Sequence, residues 1–147
     1  MRASAFFVLH KMDKAKKKIL NNLRNTFCRL ERSKIHGIGI IAIRDISKNT
    51  DPFYGVQKRR WRAFKPKEIE NLDKETKKMI YDFLALKGDK EIFIPERGLN
   101  SMDISFFLNT SKKPNVKTID GGENFRTIRK IKKGEELTVS YSDYDLT

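Results

Sequence analysis

The stretch that decides the reading is Arg32–Thr50, RSKIHGIGIIAIRDISKNT. Its centre, Ile35-His36-Gly37-Ile38-Gly39, sets two glycines around one β-branched residue and runs straight into the apolar IGIIAI segment. Glycine ahead of a β-branched run marks a turn or a close backbone approach, because only glycine tolerates both the backbone angles and the crowding. The segment predicts a tight turn whose small residues let backbone groups come within hydrogen-bond distance of a ligand. On its N-terminal side, Phe27, Cys28 and Leu30 begin a strand-like piece. On its C-terminal side, SKNTDP is a turn by composition.

Further out the pattern is short strands and turns with one helical stretch. Residues 12–26, MDKAKKKILNNLRNT, predict a short basic helix with Met12, Ile19, Leu20 and Leu23 roughly on one face, too few to form a core. QKRRWRAFKPK (57–67) reads as a basic surface segment with Trp61 and Phe64 interleaved. A helix is predicted over 67–87, with Pro66 at its start, Gly88 at its end, and Ile69, Leu72, Met79, Ile80, Phe83 and Leu84 at helical spacing. Then come EIFIPERG, a strand stopped by proline and glycine; SFFLN, apolar and leading into the turn TSKKPN; FRTIRKI, alternating; KKGEE, a turn; and ELTVSY, alternating again. The fold class is therefore mainly β with one helical insert, α+β.

Composition narrows the function classes. The chain has 147 residues, 38% of them hydrophobic, enough for one domain with a modest core. One cysteine, Cys28, excludes an internal disulfide framework, a four-cysteine zinc site and an iron–sulfur cluster, and two histidines are too few for a histidine-rich metal centre. No metal is expected. The longest apolar run near the N-terminus, Ala5–Leu9, falls far short of the about 18 residues of a membrane span. The chain reads as soluble and intracellular, with no membrane partner. Its formal charge is +13, and residues 1–34 alone hold ten basic groups against Asp13 and Glu31. A basic end is a solvated tail or an arm that attracts anions.

Taken singly these pieces are weak; their order and spacing carry the argument. RSKIHGIGIIAIRDISKNT, then SFFLNTSKKPN (Ser105–Asn115), then FRTIRKIKKGEELTVSY (Phe125–Tyr141) resemble the SET-domain protein lysine methyltransferases, nearest to small stand-alone members. The resemblance implies a fold of several short twisted sheets with a knot-like C-terminal threading. It divides the chain into a basic extension (1–26) and a SET-like catalytic domain (27–147) with an insert at about 57–90. It also implies S-adenosyl-L-methionine as cofactor. By resemblance His36, Gly37, Ile38 and Gly39 hold the methionine part of that cofactor. Asn109 and Thr110 contact it from the second block, where the family usually reads Asn-His-Ser and this chain has threonine. Tyr141 matches the catalytic tyrosine and completes the cofactor site. Many members carry Phe or Tyr two residues earlier, where Val139 stands, and Tyr54, or Phe53 beside it, resembles a tyrosine that lines the lysine channel.

A phenol suits this chemistry, since it gives or takes a hydrogen bond while staying neutral at pH 7. The reaction implied is methyl transfer to a lysine ε-amine of a protein substrate. Two other readings stay open: an inactive SET-like binding module, suggested by Thr110 and Val139, and a nucleic-acid binder using the basic N-terminus and Lys58–Lys67 with Trp61 stacking on bases. A basic chain is not an evident match for a basic histone tail. Closure of the site falls to SerAspTyrAspLeuThr, to a second subunit in a homodimer, or to the basic N-terminal helix folding over.

Overall fold

The computed structural model describes residues 13–56, 58–84, 86–87 and 91–144. The first helix, α1 (Lys14–Arg24), starts where Asp13 accepts a hydrogen bond from the Lys16 N–H at 2.8 Å. None of its residues is buried, and Ile19 and Leu23 stand exposed. It rests on the Phe53–Gly55 turn, where Asn21 Nδ2 donates to the Tyr54 hydroxyl at 3.0 Å.

The central sheet has four strands in the order β1 (Cys28–Arg32), β2 (Ile38–Ala42), β9 (Glu136–Val139), β6 (Asn109–Thr110). β1 and β2 form an antiparallel hairpin across the glycine-containing loop, with Cys28 opposite Ala42 and Arg32 opposite Ile38. β9 adds antiparallel to β2, Ile40 facing Leu137. β6 then adds parallel to β9, Asn109 facing Thr138 and Thr110 facing Val139. So the first and last sequence blocks are neighbours in one sheet, and the middle block closes its edge. A two-stranded piece, β7 (Val116–Thr118) with β8 (Phe125–Thr127), and an Ile46–Ile131 bridge complete this half.

The main core lies on one face of the central sheet. Ile40, Ile46, Val116, Ile131, Leu137 and Val139 have no exposed surface, and Phe53, Leu108 and Phe125 close around them. Alternation predicts Leu137, Val139 and Tyr141 on one strand face; Leu137 and Val139 share this buried face, while Tyr141 lies beyond the end of the strand. A second cluster, Ile69, Ile80, Leu84 and Ile92, sits under a separate sheet of β3 (Trp61–Phe64), β5 (Glu91–Pro95) and β4 (Leu86–Lys87).

Three expectations are corrected. The single helix over 67–87 is instead a 3-10 turn at Pro66–Ile69 followed by α2 (Lys74–Phe83). Asp73 caps a new start by accepting from the Thr76 N–H at 2.9 Å, which breaks the register, so Ile69 and Ile80 are buried while Leu72 and Met79 are exposed. Gly88, the expected stop, lies outside the described residues. In the basic segment 57–67 the side chains of Lys58, Arg60, Arg62, Lys65 and Lys67 are exposed as expected, but Trp61–Phe64 is strand β3, and Trp61 and Phe64 pack on the second cluster rather than standing on the surface. Finally, ELTVSY is a strand only to Val139, and Tyr141 opens a 3-10 turn, Tyr141–Tyr144.

Candidate active site

The loop between β1 and β2 is folded around Ser33. Its hydroxyl oxygen accepts from the N–H groups of Ile35 at 2.9 Å and His36 at 3.1 Å, and Gly37 takes a left-handed φ of 52°, which favours glycine. The Ser33 N–H closes the turn on the Gly37 carbonyl at 2.8 Å. The side chains of Ile35, His36 and Ile38 are exposed.

Asn109 ties this loop to the far edge of the sheet. It is buried, and its Nδ2 donates toward Ser33 Oγ at 3.1 Å, the His36 carbonyl at 3.0 Å and the Ile38 carbonyl at 3.4 Å. Asn115, a few residues further along the chain, donates from Nδ2 to the Glu136 carbonyl at 2.8 Å and accepts from the Thr138 N–H at 2.8 Å. Both asparagines are therefore bonded by their side chains to main chain of other segments.

The neighbouring residues hold Tyr141. Its hydroxyl donates to the Leu108 carbonyl at 2.9 Å, and its N–H donates to Thr110 Oγ1 at 3.2 Å. Thr110, which stands where the family usually has histidine, thus orients the tyrosine backbone. Burial of the ring pushes the Tyr141 phenol above its ordinary pKa, so it stays protonated at neutral pH. The Tyr144 ring meets that of Tyr141 edge-on at 6.2 Å, and burial raises its phenol further.

These two tyrosines form one wall of a cleft of about 590 Å³. Trp61, Phe83, Phe93, Phe106, Leu108 and Phe125 supply apolar walls, and Asp82, Asp120 and Glu123 bring carboxylates. Glu123 accepts from the Trp61 indole N–H, fixing the β3 wall against the Gly121–Glu123 turn. Gly122 is needed there: its φ is 107°, and a Cβ would meet the Tyr144 ring at 3.0 Å. A more polar hollow of about 500 Å³ lies beside it, lined by Lys58, Arg59, Arg60 and Arg97 among others. In it Arg59 pairs with Asp103 and lies 4.7 Å over the Phe106 ring, while Arg62 pairs with Glu96 at 3.1 Å.

Of the residues singled out from the sequence, the structure brings His36, Ile38, Asn109, Thr110 and Tyr141 into one connected set. Gly37 and Gly39 belong to the same loop and strand. Only Tyr141 among them lines the aromatic cleft. Tyr54 is drawn elsewhere by its bond to Asn21 on α1, and Val139 is sealed in the core; neither reaches the cleft wall. Trp61 turns inward, so it does not offer a stacking face on the basic surface.

One group was missed. Both carboxylate oxygens of Glu136 are shut off from water and have no hydrogen-bond partner among the described residues. Oε1 lies directly over Gly39, where a Cβ would fall 2.0 Å from it and 3.0 Å from the Ser33 Cβ. Nothing in a period-2 pattern distinguishes this glutamate from a solvated one, since the cross-strand glycine that admits it is about a hundred residues away in sequence.

A family model described as the SET domain matches residues 37–142, and the chain belongs to the SET-domain family. No curated protein matches it by sequence. Among solved structures, it is similar to a humanized mutant of the Chaetomium thermophilum Polycomb Repressive Complex 2 bound to an inhibitor, with a TM-score of 0.51 and 19% identity. That alignment covers 83% of this chain but only 16% of the other. A Plasmodium falciparum protein named as a candidate histone methyltransferase aligns at 17% identity and a TM-score of 0.48, over 79% of this chain and 93% of that one. Among the described residues the chain forms mostly short strands in several small sheets with two α-helices, which is consistent with the fold of this family. No described helix is long and apolar enough to cross a membrane.

Proposed function

We propose that this chain is an S-adenosylmethionine-dependent protein-lysine methyltransferase. The observation that carries the reading is Asn109: one buried amide bonds the Ser33–Ile38 loop, while the residues on either side of it hold Tyr141. That convergence of three remote segments is what a bound donor facing an incoming amine requires.

The residues present fit the cofactor. The loop offers backbone carbonyls, and at Gly37 nothing lies within 4 Å of where a Cβ would stand, so the backbone there is open to close approach. Ser33, His36–Gly39 and Asn109–Thr110 would hold its amino-acid end. When bound, S-adenosylmethionine supplies a methyl group made electrophilic by a sulfonium. The chain's own part is positioning and exclusion of water. The protonated Tyr141 hydroxyl is a neutral hydrogen-bonding group fixed on the Leu108 carbonyl. Aromatic walls desolvate an entering lysine and lower its pKa from about 10.4, because burial disfavours the ammonium. The neutral amine can then attack in line.

The cleft also supports a substrate reading. On a chain of net charge +13, its lining includes Asp82, Asp120 and Glu123. These draw a cation in, so a basic peptide suits the cleft even though the molecule as a whole is basic.

The test is transfer of tritiated methyl from S-adenosylmethionine onto a mixed lysate, wild type beside Tyr141→Phe. A labelled band present with the wild type and lost with the variant supports the reading. No labelling, together with no binding of S-adenosylhomocysteine, leaves an inactive SET-like module.

A further inference from the structure

Independently of the methyltransferase reading, we infer that the polar hollow beside the cleft is the centre of a nucleic-acid docking surface, on which Lys58, Arg60 and Arg97 hold backbone phosphates. The hollow's lining carries four cations, Lys58, Arg59, Arg60 and Arg97, against two carboxylates, Glu96 and Asp103. Both carboxylates are already engaged. Asp103 pairs with Arg59, whose guanidinium lies 4.7 Å over the Phe106 ring, and accepts from the Ser105 N–H at 2.8 Å. Glu96 Oε1 receives Nε and Nη2 of Arg62, each at 3.1 Å. The side chains of Lys58, Arg60 and Arg97 stand exposed and form no ion pair among the described residues. The backbone brings these three together. The Glu96 N–H bonds the Arg60 carbonyl at 2.9 Å, and the Gly98 N–H closes the turn around Arg97 on the Pro95 carbonyl at 2.8 Å. Uncompensated like charges gathered at one concave place repel each other and draw in an anion.

The extent of the surface says what kind of anion. Val56, on the lining, follows directly on the turn against which α1 rests: Asn21 bonds the Tyr54 hydroxyl, and the Asn22 amide nitrogen lies 3.3 Å from where Gly55 would carry a Cβ. Residues three and four apart share a helix face, so Lys18 and Lys14 continue the stripe of Asn21 away from that turn for about 10 Å. In the other direction Arg62 on β3 and then Lys65 and Lys67 are exposed. A lone phosphoryl group on a protein is satisfied by two or three cations. Cations repeated along a whole face match an anion that repeats, as a duplex does with one charge per about 1.7 Å. Trp61 and Phe64 pack inward, so the face offers phosphate contacts rather than a row of stacking rings, and binding is independent of base sequence.

The test is fluorescence anisotropy of a labelled DNA duplex two helical turns long, titrated with the full chain at salt from about 50 to about 200 mM. Wild type is set beside a triple variant of the hollow, Lys58→Gln, Arg60→Gln and Arg97→Gln. A control of equal charge, Lys112→Gln, Lys113→Gln and Lys117→Gln, changes exposed lysines before and on β7. Each lost phosphate contact lowers the slope of log affinity against log salt by about 0.9, so the hollow variant is expected to lose about 2.7 from the slope and at least about tenfold in affinity. The control is expected to keep the slope and lose less than about threefold. An equal loss in both triples makes the attraction a matter of net charge alone and overturns the docking surface, as does a wild type that binds no duplex at the lowest salt. Polyglutamate that displaces the duplex as readily as unlabelled duplex, at equal charge, indicates an acidic protein and overturns it too. Should the triple variant not fold, Lys58→Gln and Arg97→Gln singly are each expected to lower the slope by about 0.9, and unchanged slopes refute the assignment. Methyl transfer is measured separately, so failure of either reading leaves the other standing.

Discussion

Replacing Asn109 with alanine removes the one side chain that bonds the glycine loop to the β6–β9 edge. Three acceptors lie within 3.4 Å of its Nδ2, but an amide nitrogen has two hydrogens, so at most two full bonds are made at once. At about 1 kcal/mol net for each, and with the orphaned His36 and Ile38 carbonyls partly freed to water, the loss is about 2 kcal/mol. For a domain of this size that lowers the melting temperature by about 4–8 °C. Asn109→Asp sharpens the test, because it keeps the shape and turns a donor into an acceptor facing two carbonyls. At pH 7 it costs more than alanine. The new carboxyl has its folded pKa raised above the usual ~3.9. Its penalty is therefore complete above that raised value and fades as pH falls through it toward the unfolded value. Urea unfolding of the three proteins at pH 7 and near pH 4.5 measures both effects. An alanine variant within about 0.5 kcal/mol of wild type, or an aspartate variant as stable as wild type at both pH values, would refute the claim that this amide organises the loop.

Asn115→Ala leaves the Glu136 carbonyl and the Thr138 N–H, both bonded at 2.8 Å, without partners in a fully packed site, and is expected to cost about 2–4 kcal/mol in urea unfolding. Gly39→Ala must push the Glu136 carboxylate aside and is expected to cost about 1–3 kcal/mol, a penalty that shrinks in the double variant with Glu136→Ala; additive losses would deny the contact. Burial pushes the Cys28 thiol up to about 12, so a thiol reagent at pH 8 should label it only in denaturant; prompt labelling of the folded chain contradicts its place in the core. Within the cleft, Asp120→Lys with Glu123→Lys is expected to raise KM for basic peptides several-fold with kcat little changed, and an unaltered KM removes those carboxylates from substrate attraction.

The way Tyr141 is held explains why a chain with threonine in place of the family's usual histidine keeps its tyrosine in order. Thr110 Oγ1 accepts the Tyr141 N–H, and the Leu108 carbonyl takes the hydroxyl, so both ends of the tyrosine are tied to one short segment. The same segment carries Asn109. A shift of the 108–110 strand therefore moves the glycine loop and the tyrosine together, which makes it the point where substitutions outside the cleft would reach the chemistry.

What the sequence determined by itself was local. Glycines at 37 and 39 read as a tight loop because their backbone freedom belongs to the residue. Alternation through Leu137 and Val139 read as a strand face because its period is intrinsic to extended chain. The order of the three blocks was enough for the family. The signal that splits the 67–87 helix was also present, in Asp73 three residues before Thr76, and apolar spacing hid it. Tertiary structure alone decided the rest. Whether Val139 lines a channel or fills a core depends on what packs over it. Tyr54 went to α1, and Trp61 turned from the basic surface into the cleft, because of partners far along the chain, Asn21 and Glu123. The Glu136 carboxylate could fold over the sheet only because Gly39, two residues along the neighbouring strand from its direct partner Ile41, has no side chain there. Burial and pairing are properties of which segments meet, and no single segment of sequence contains that information.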